Sequence, residues 1–218
     1  MPGFDGVARV YHALEVAAFG GALQRARTAY LDRLAPCRDV LLLGDGDGRF
    51  LRALLDVAPD VCVHSVDASA AMLAVAEHRL RPGERARVTF EHADARRFDP
   101  GARTYDAVVT AFFLDCFSDH DVAHLVARVR PHLRPGGVWV FTDFASPARG
   151  VARLYARLVV GALYRFFRWR AGIDARGLPP SEAILERSGL MPVAHHEFRA
   201  GLIRAVLYRA GPELDRTV

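Results

Sequence analysis

Apolar residues along this chain follow two rhythms, and the change between them falls near Asp39. From about Phe4 to Leu34 they recur at helical spacing, as Val7, Val10, Tyr11, Leu14 and Ala18, which predicts one or two helices broken near Gly20 and Gly21. Pro36 ends that stretch. From Asp39 onward the short runs VLLLG, VCVHSVD, RVTFEHAD, YDAVVTAFFLD and VWVFTDF alternate with RFLRALLDVA, SAAMLAVAEHRL and DHDVAHLVARVRPHL, each of helical period. Ser69 and Ser118 stand where N-caps would open the second and third of these helices. Strand and helix alternating in this way predict an α/β fold with a doubly wound, mostly parallel sheet.

After the run Val138 to Thr142 a long helical insertion is predicted over Pro147 to about Ala171, followed by the short helix SEAILERSG with Ser181 as its cap. The runs MPVAHHEF and LIRAVLYR come last, joined only by Arg199, Ala200 and Gly201. A connection so short makes a hairpin, so the final strand runs antiparallel to its neighbour in a seven-stranded sheet.

Composition narrows the function classes. The 218 residues are 51% hydrophobic and 25% charged, which is globular, and no charge-free apolar run reaches the roughly 18 residues of a membrane span. The opening MPGFDGVARVYHALE lacks the basic end and apolar stretch of a signal peptide, so the expected compartment is the cytoplasm. Cys37, Cys62 and Cys116 form no CxxC pair, which argues against a disulfide framework or a cysteine zinc site. The net charge is +4, yet the arginines are dispersed among acids rather than gathered with stacking aromatics, which argues against nucleic acid as a partner. All 29 basic residues are Arg, and that removes Schiff-base lysines and the P-loop GK[ST] from consideration.

Candidate chemistry begins at GDGDGRF, where Gly44, Gly46 and Gly48 alternate with Asp45 and Asp47 directly after a strand. A dinucleotide fingerprint needs a third glycine where Arg49 stands, and two carboxylates oppose a diphosphate. A calcium loop needs an oxygen ligand at Arg49 and a glycine at Phe50. A turn that merely packs helix on sheet is the plain alternative. A cationic nucleoside without phosphate suits the acids best, and S-adenosylmethionine is such a ligand. Asp67, about twenty residues after the glycines and at a strand end, is placed to accept ribose hydroxyls, a feature shared with NAD binders. An NAD(P)-dependent oxidoreductase and a non-catalytic binding module are the competing function classes.

With its motifs in this order, the chain resembles the class I S-adenosylmethionine-dependent methyltransferases, especially the small-molecule branch related to ubiquinone and menaquinone biosynthesis. GDGDG resembles the family's first motif, VDAS its ribose-binding acid, HADAR its adenine-contacting loop, YDAVVTAFFLD its fourth motif and LRPGGVWVFTDF its fifth strand with the preceding turn. The terminal hairpin is a further mark of that family. The resemblance implies that Gly44, Gly46 and Gly48 pass under the methionine and ribose, with Asp45 supplying charge, and that Asp67 with the adjacent Ala68 holds the ribose. It further implies that Met72 covers the adenine, Asp94 takes its amino group, Ala95 offers a backbone N–H, and Thr110 and Ala111 line the methionine end. Leu42 departs from the family, which commonly carries an acid two positions before the first glycine. On this reading residues 1–35 form a helical lid, 38–143 the cofactor-binding core, 147–180 a cap insertion and 181–209 the C-terminal helix and hairpin of a single domain.

Methyl transfer from a sulfonium requires alignment and exclusion of water, and a hydroxyl acceptor adds the need for a general base. Asp115 and Asp143, past the fourth and fifth strands, are the best placed bases, followed by Tyr11 and His12 on the lid. The insertion VARLYARLVVGALYRFFRWR has an apolar face that suits a cap over the acceptor or a peripheral membrane contact. Phe112, Phe113, Phe144, Phe166, Phe167 and Trp169 would make the pocket aromatic, pointing to a small apolar or planar acceptor. His120 and His124 imitate HExxH without a convincing third ligand, so no metal is expected, and His195 and His196 face opposite ways on a strand. Nothing in the sequence speaks to an oligomeric state.

Overall fold

The computed structural model describes residues 21–145 and 178–211. Tyr11, His12, the helical insertion after residue 146 and the aromatics Phe166, Phe167 and Trp169 lie outside the described residues. Two short helices, α1 (Ala22–Arg27) and α2 (Leu31–Leu34), lead into β1 (Asp39–Leu43), α3 (Arg49–Val57), β2 (Cys62–Asp67), α4 (Ala70–His78) and β3 (Val88–His92). Then follow β4 (Tyr105–Ala111), α5 (Asp119–Val129), β5 (Leu133–Phe144), α6 (Ser181–Arg187), β6 (Leu190–Phe198) and β7 (Ile203–Ala210). Among the described residues no helix is long and apolar enough to cross a membrane.

The seven strands form one sheet in the order β3-β2-β1-β4-β5-β7-β6, parallel except that β7 runs antiparallel to both β5 and β6. The near-continuous aliphatic runs follow from this architecture, because a central strand is covered on both faces. Leu41 and Leu43 of β1 face α5 and α6, where they meet Val126, Leu185 and Trp139. Val40 and Leu42 face the other side with Phe50, Leu51 and Leu54 of α3 and Leu34 of α2. Helix α3 therefore forms because its apolar residues recur every three or four positions along a single buried stripe. Leu42, where the resembled family has an acid, is part of that core and 1% exposed.

The strand order reverses between β1 and β4, and their carboxyl ends open the crevice where ligands sit in such sheets. Local chemistry ends the elements as anticipated in two cases. Ser69 Oγ accepts from Met72 N at 3.3 Å and Ser118 Oγ from Asp121 N at 3.2 Å, each capping its helix. Ser181 does not repeat this: Pro180 is the cap residue of α6, with no side-chain bond, and Ser181 is the first residue of the helix. The hairpin turn carries Arg199 and Ala200 at φ 52° and 54° before Gly201, a left-handed run that Gly alone adopts without strain.

Candidate functional site

Gly44, Gly46 and Gly48 all have positive φ, at 69°, 65° and 80°, so the turn after β1 uses a backbone conformation costly for any other residue. They serve different purposes. A Cβ on Gly48 would lie 2.6 Å from Ala76 Cβ, so this glycine lets α3 pack on α4. A Cβ on Gly44 would run into the Phe113 ring at 2.1 Å. Gly46 meets nothing within 4 Å, which makes its face the open one.

Asp67, at the end of β2, crosses to this turn: its Oδ2 accepts from Gly46 N at 3.1 Å and its Oδ1 from Ser69 N at 2.8 Å. Burial raises its pKa, opposed by those backbone donors. An open glycine beside a carboxylate at a strand end fits a ribose, whose hydroxyls need an acceptor and whose ring needs room.

The two acids inside the turn behave otherwise than anticipated. Asp45 turns back on α3, its carboxylate accepting from Phe50 N at 3.3 Å and Leu51 N at 2.9 Å. Gly48, the N-cap, has no side chain to satisfy those first-turn donors, so Asp45 performs the capping from outside the helix. Burial pushes its carboxyl up to about 6, and the backbone donors and Arg27 hold it down. Asp47 is taken by Arg49 Nε at 3.0 Å and by Arg79 at 2.8 Å. The charges read in the sequence as facing a ligand are engaged within the protein, and Asp67 is the carboxylate that meets the open glycine.

Asp45→Ala is expected to lower stability by about 1 kcal/mol, as a lost cap does, or roughly 2–4 °C in Tm. Asp45→Asn loses less. Because the folded pKa is raised, ionisation of Asp45 costs stability as the pH rises from the unfolded value to about 6, so the Asn variant gains on the wild type between about pH 4 and about pH 6 and holds that gain above it. Thermal melts across that range check both, and a cofactor response lost beyond the stability change would return Asp45 to the pocket.

Other predicted residues separate in the same way. Thr110 is fully buried with its hydroxyl accepting from Trp139 Nε1 at 3.0 Å, so its side chain belongs to the core and only Ala111 remains at the strand end. Asp94 is bound by Arg96 through Nε at 3.1 Å and a terminal nitrogen at 2.7 Å, and Arg96 N donates to it at 3.0 Å. Its carboxylate is thus engaged by its own loop. Ala95 packs in the core beneath that loop. Met72 sits half-buried at the start of α4, and Ala68 is exposed beside Asp67, its carbonyl accepting from His92 Nε2 at 3.0 Å.

Asp115 and Asp143 come together. Asp115 N donates to Asp143 Oδ2 at 3.0 Å, and Cys116 Sγ donates to Asp115 Oδ1 at 3.5 Å. Both carboxyls are buried, and burial pushes both above the ordinary carboxylate range, with mutual repulsion adding to the rise at Asp143. Around them the aromatics gather. Phe112 packs on Phe144 with the rings tilted at 54° and their centroids 5.2 Å apart, and Phe113 meets Phe117 edge-on at 5.0 Å. Phe112 is a non-glycine residue at φ 55°, a strain of about 1–3 kcal/mol of the sort found where a site over-determines its backbone.

Arg27 is a residue sequence reasoning missed. Its guanidinium lies 5.3 Å from the Phe112 ring centroid, it is 8% exposed, and it acts electrostatically on Asp45. Helix α1 holds it there through Ala22, Leu23 and Ala26 against Leu202 and Ile203, and through Thr142 Oγ1 donating to Ala26 O at 3.4 Å. Among 29 arginines nothing local singles it out. His195 and His196 stay away from this centre: His196 packs against Tyr30 with ring centroids 5.3 Å apart, and His195 lies toward Glu182. His120 and His124 bring their Nε2 atoms to 3.1 Å on an exposed helix face, and no metal-holding group of three or more ligands occurs among the described residues.

A reversing strand order, an open glycine turn and an acid at the end of the second strand, with an antiparallel final strand, are the features that the resemblance to the class I S-adenosylmethionine-dependent methyltransferases implies. This chain has the fold of that class, and a family profile described as a methyltransferase domain matches residues 40–137. It is similar to the demethylmenaquinone methyltransferase of Thermotoga maritima, 34% identical over 166 residues, 75% of this chain and 66% of that protein. The demethylmenaquinone methyltransferase of Deinococcus radiodurans is 33% identical over 133 residues, 58% of this chain and 54% of that one. The chain thus spans 66% and 54% of the lengths of these two relatives. In fold it is similar to the N-methyltransferase NodS from Bradyrhizobium japonicum, solved with S-adenosylhomocysteine, at TM-score 0.63 and 21% identity over 86% of this chain and 87% of that one. The mitomycin 7-O-methyltransferase MmcR superposes at TM-score 0.67 with 20% identity, over 88% of this chain and 55% of that one. The cofactor of the class is S-adenosylmethionine, and the dinucleotide reading of the glycine turn falls away.

Proposed function

We propose that the chain transfers the methyl group of S-adenosylmethionine to a small, planar, largely apolar acceptor. The observation that carries this is the pairing of the open Gly46 with Asp67, flanked by Phe112, Phe113 and Phe144 at the strand ends. When bound, the cofactor supplies an electrophilic methyl on a sulfonium, so the chain's own task is to hold, orient and keep water out. Asp67 takes the ribose hydroxyls, the turn at Gly46 lets the nucleoside approach the backbone, and Arg27, beside Phe112 and Asp45, is a cation that would meet the methionine carboxylate. Phe112 and Phe144 form an apolar floor for the acceptor. Where the acceptor presents a hydroxyl, the Asp115 and Asp143 pair is the group placed to receive its proton.

The relatives named as demethylmenaquinone methyltransferases support a quinol-like ring as the first acceptor to try. The test uses the full chain with labelled S-adenosylmethionine and a panel of naphthoquinols, phenols and small amines, after a thermal-shift check with the donor and its demethylated product. Labelled quinol or phenol product is the expected result. Thermal stabilisation without product from any acceptor, cell extract included, would mean binding without catalysis. Stabilisation by a pyridine dinucleotide and not by the methyl donor would overturn the reading.

A further inference from the structure

Asp143 ends β5, and Asp115 sits in the 3-10 turn Leu114–Cys116 that follows β4, so adjacent strands deliver two carboxyls to one place. They are 3% and 9% exposed. Asp143 accepts from Phe144 N at 3.0 Å through Oδ1 and from Asp115 N at 3.0 Å through Oδ2, so its position is set by backbone on both sides. Two buried carboxyls held this close repel each other when both are ionised, which favours one proton held between them. The turn bearing Asp115 also touches the cofactor pocket at two points. Phe113, two residues before it, rests on Gly44, and Cys116, one residue after it, lies within the field of Asp67.

We propose that Asp115 and Asp143 form one proton-sharing unit that gives the cofactor pocket a single negative charge, and that this charge selects the cationic methyl donor over its neutral demethylated product. The inference rests on the methyltransferase reading and adds a determinant of ligand choice to it. Donor and product share adenosine and the amino-acid end and differ at sulfur, one a sulfonium and the other a thioether. Contacts to ribose, adenine or carboxylate cannot separate them, whereas a fixed charge in a partly dry pocket can. Such a charge also favours release of product once the methyl has left.

The charged surroundings of the pair come from four directions. Cys116 on the same turn is kept a thiol, because burial and both carboxylates push its pKa far up. Asp67 stands on β2, and Arg204 of β7 lies opposite Asp143 in register, its guanidinium directed to Glu182 of α6 at 3.5 Å. Arg27 of α1 faces Asp45. Burial and mutual repulsion raise the pair, so its charge is present at neutral pH and is lost as the pH falls through a range above that of an ordinary carboxylate.

The test is calorimetric binding of S-adenosylmethionine and S-adenosylhomocysteine to the full chain from about pH 5 to about pH 8, with wild type, Asp115→Asn, and the double variant carrying Asp143→Asn as well. The readout is the ratio of the two dissociation constants. Asp67 holds the ribose of both ligands, so its own titration cancels. Wild type should prefer the donor more strongly as the pH rises. Asp115→Asn donates an amide N–H to Asp143 and removes the mutual repulsion but not the burial, so Asp143 ionises at lower pH than in the wild type and the rise in the ratio should shift to lower pH. The double variant should lose about tenfold in preference at neutral pH, the size of one charge interaction across a partly desolvated pocket. A folded double variant with the wild-type ratio overturns the proposal. If the double variant does not fold, a wild-type ratio that does not change between about pH 5 and about pH 8, or that changes over the same range as in Asp115→Asn, overturns it. Failure of either ligand to bind wild type would instead sink the methyltransferase reading.

Discussion

Gly48→Ala lowers the stability of the chain by roughly 2–5 kcal/mol, a fall in Tm of about 4–20 °C. Two costs add. A φ of 80° puts any side chain in the left-handed region, worth about 1–2 kcal/mol. The new Cβ also lies 2.6 Å from Ala76 Cβ and 2.7 Å from Ala76 Cα, and the second contact is with helix backbone, which no rotamer change relieves. Separating α3 from α4 to make room would disturb Phe50 and Leu51, both 1% exposed, at the start of a helix whose first donors already depend on Asp45. Gly46→Ala provides the contrast. Its φ of 65° carries the same strain, but nothing lies within 4 Å, so the expected stability loss stays near 1–2 kcal/mol while cofactor binding suffers. Urea melts of both variants, each with and without S-adenosylhomocysteine, separate the packing role of one glycine from the ligand role of the other. Equal destabilisation by the two would refute the distinction.

Asp67→Ala abolishes the thermal stabilisation that the methyl donor or its product confers. A ligand present at a hundred times its dissociation constant stabilises the native state by about 2.7 kcal/mol, which corresponds to roughly 5–11 °C for a domain of this size. That shift should vanish in the variant, because Asp67 is the only carboxylate among the described residues bonded to the Gly46 amide, and alanine leaves the ribose hydroxyls without their acceptor. Without ligand the variant should melt close to the wild type. Gly46 N and Ser69 N lose a partner, but a carboxylate whose ionisation burial opposes is removed with it. Asp67→Asn keeps one acceptor oxygen and should retain a small part of the shift. A full shift in Asp67→Ala would place the nucleoside elsewhere.

The pH dependence of binding follows from the same carboxylate. Because its pKa is raised in the folded chain, the acceptor form begins to be lost at a higher pH than for an exposed aspartate, and affinity for both ligands weakens together on acidification. The ratio examined for the Asp115 and Asp143 pair is insensitive to that common loss.

Some of this architecture was written in local patterns. Alternating aliphatic runs and helical stretches, a three-residue turn at Arg199 to Gly201 and alternating glycines after a strand depend on neighbours a few positions apart, so period and turn chemistry suffice to read them. Asp67 was legible for the same reason, since a strand end about twenty residues after a glycine turn lands beside it in any such fold. Other residues were misplaced because their partners are distant or their facing is fixed by register. Asp47 meets Arg79 across 32 positions, and Thr110 meets Trp139 across 29. Whether Thr110 pointed to the pocket or the core depended on which face of β4 received α5, which alternation alone leaves open.

The amino-acid sequence by itself determined the class of fold and the location of the glycine turn, because hydrophobic period and turn chemistry are short-range consequences of residue type. Only the tertiary structure decided which charges the site contains. It turned Asp45 onto a helix end, gave Asp47 to two arginines, brought Arg27 over Phe112 and joined Asp115 to Asp143 across 28 positions. The physical reason is that a carboxylate's field and protonation depend on burial and on groups within a few ångströms, and folding, unlike sequence order, chooses those neighbours.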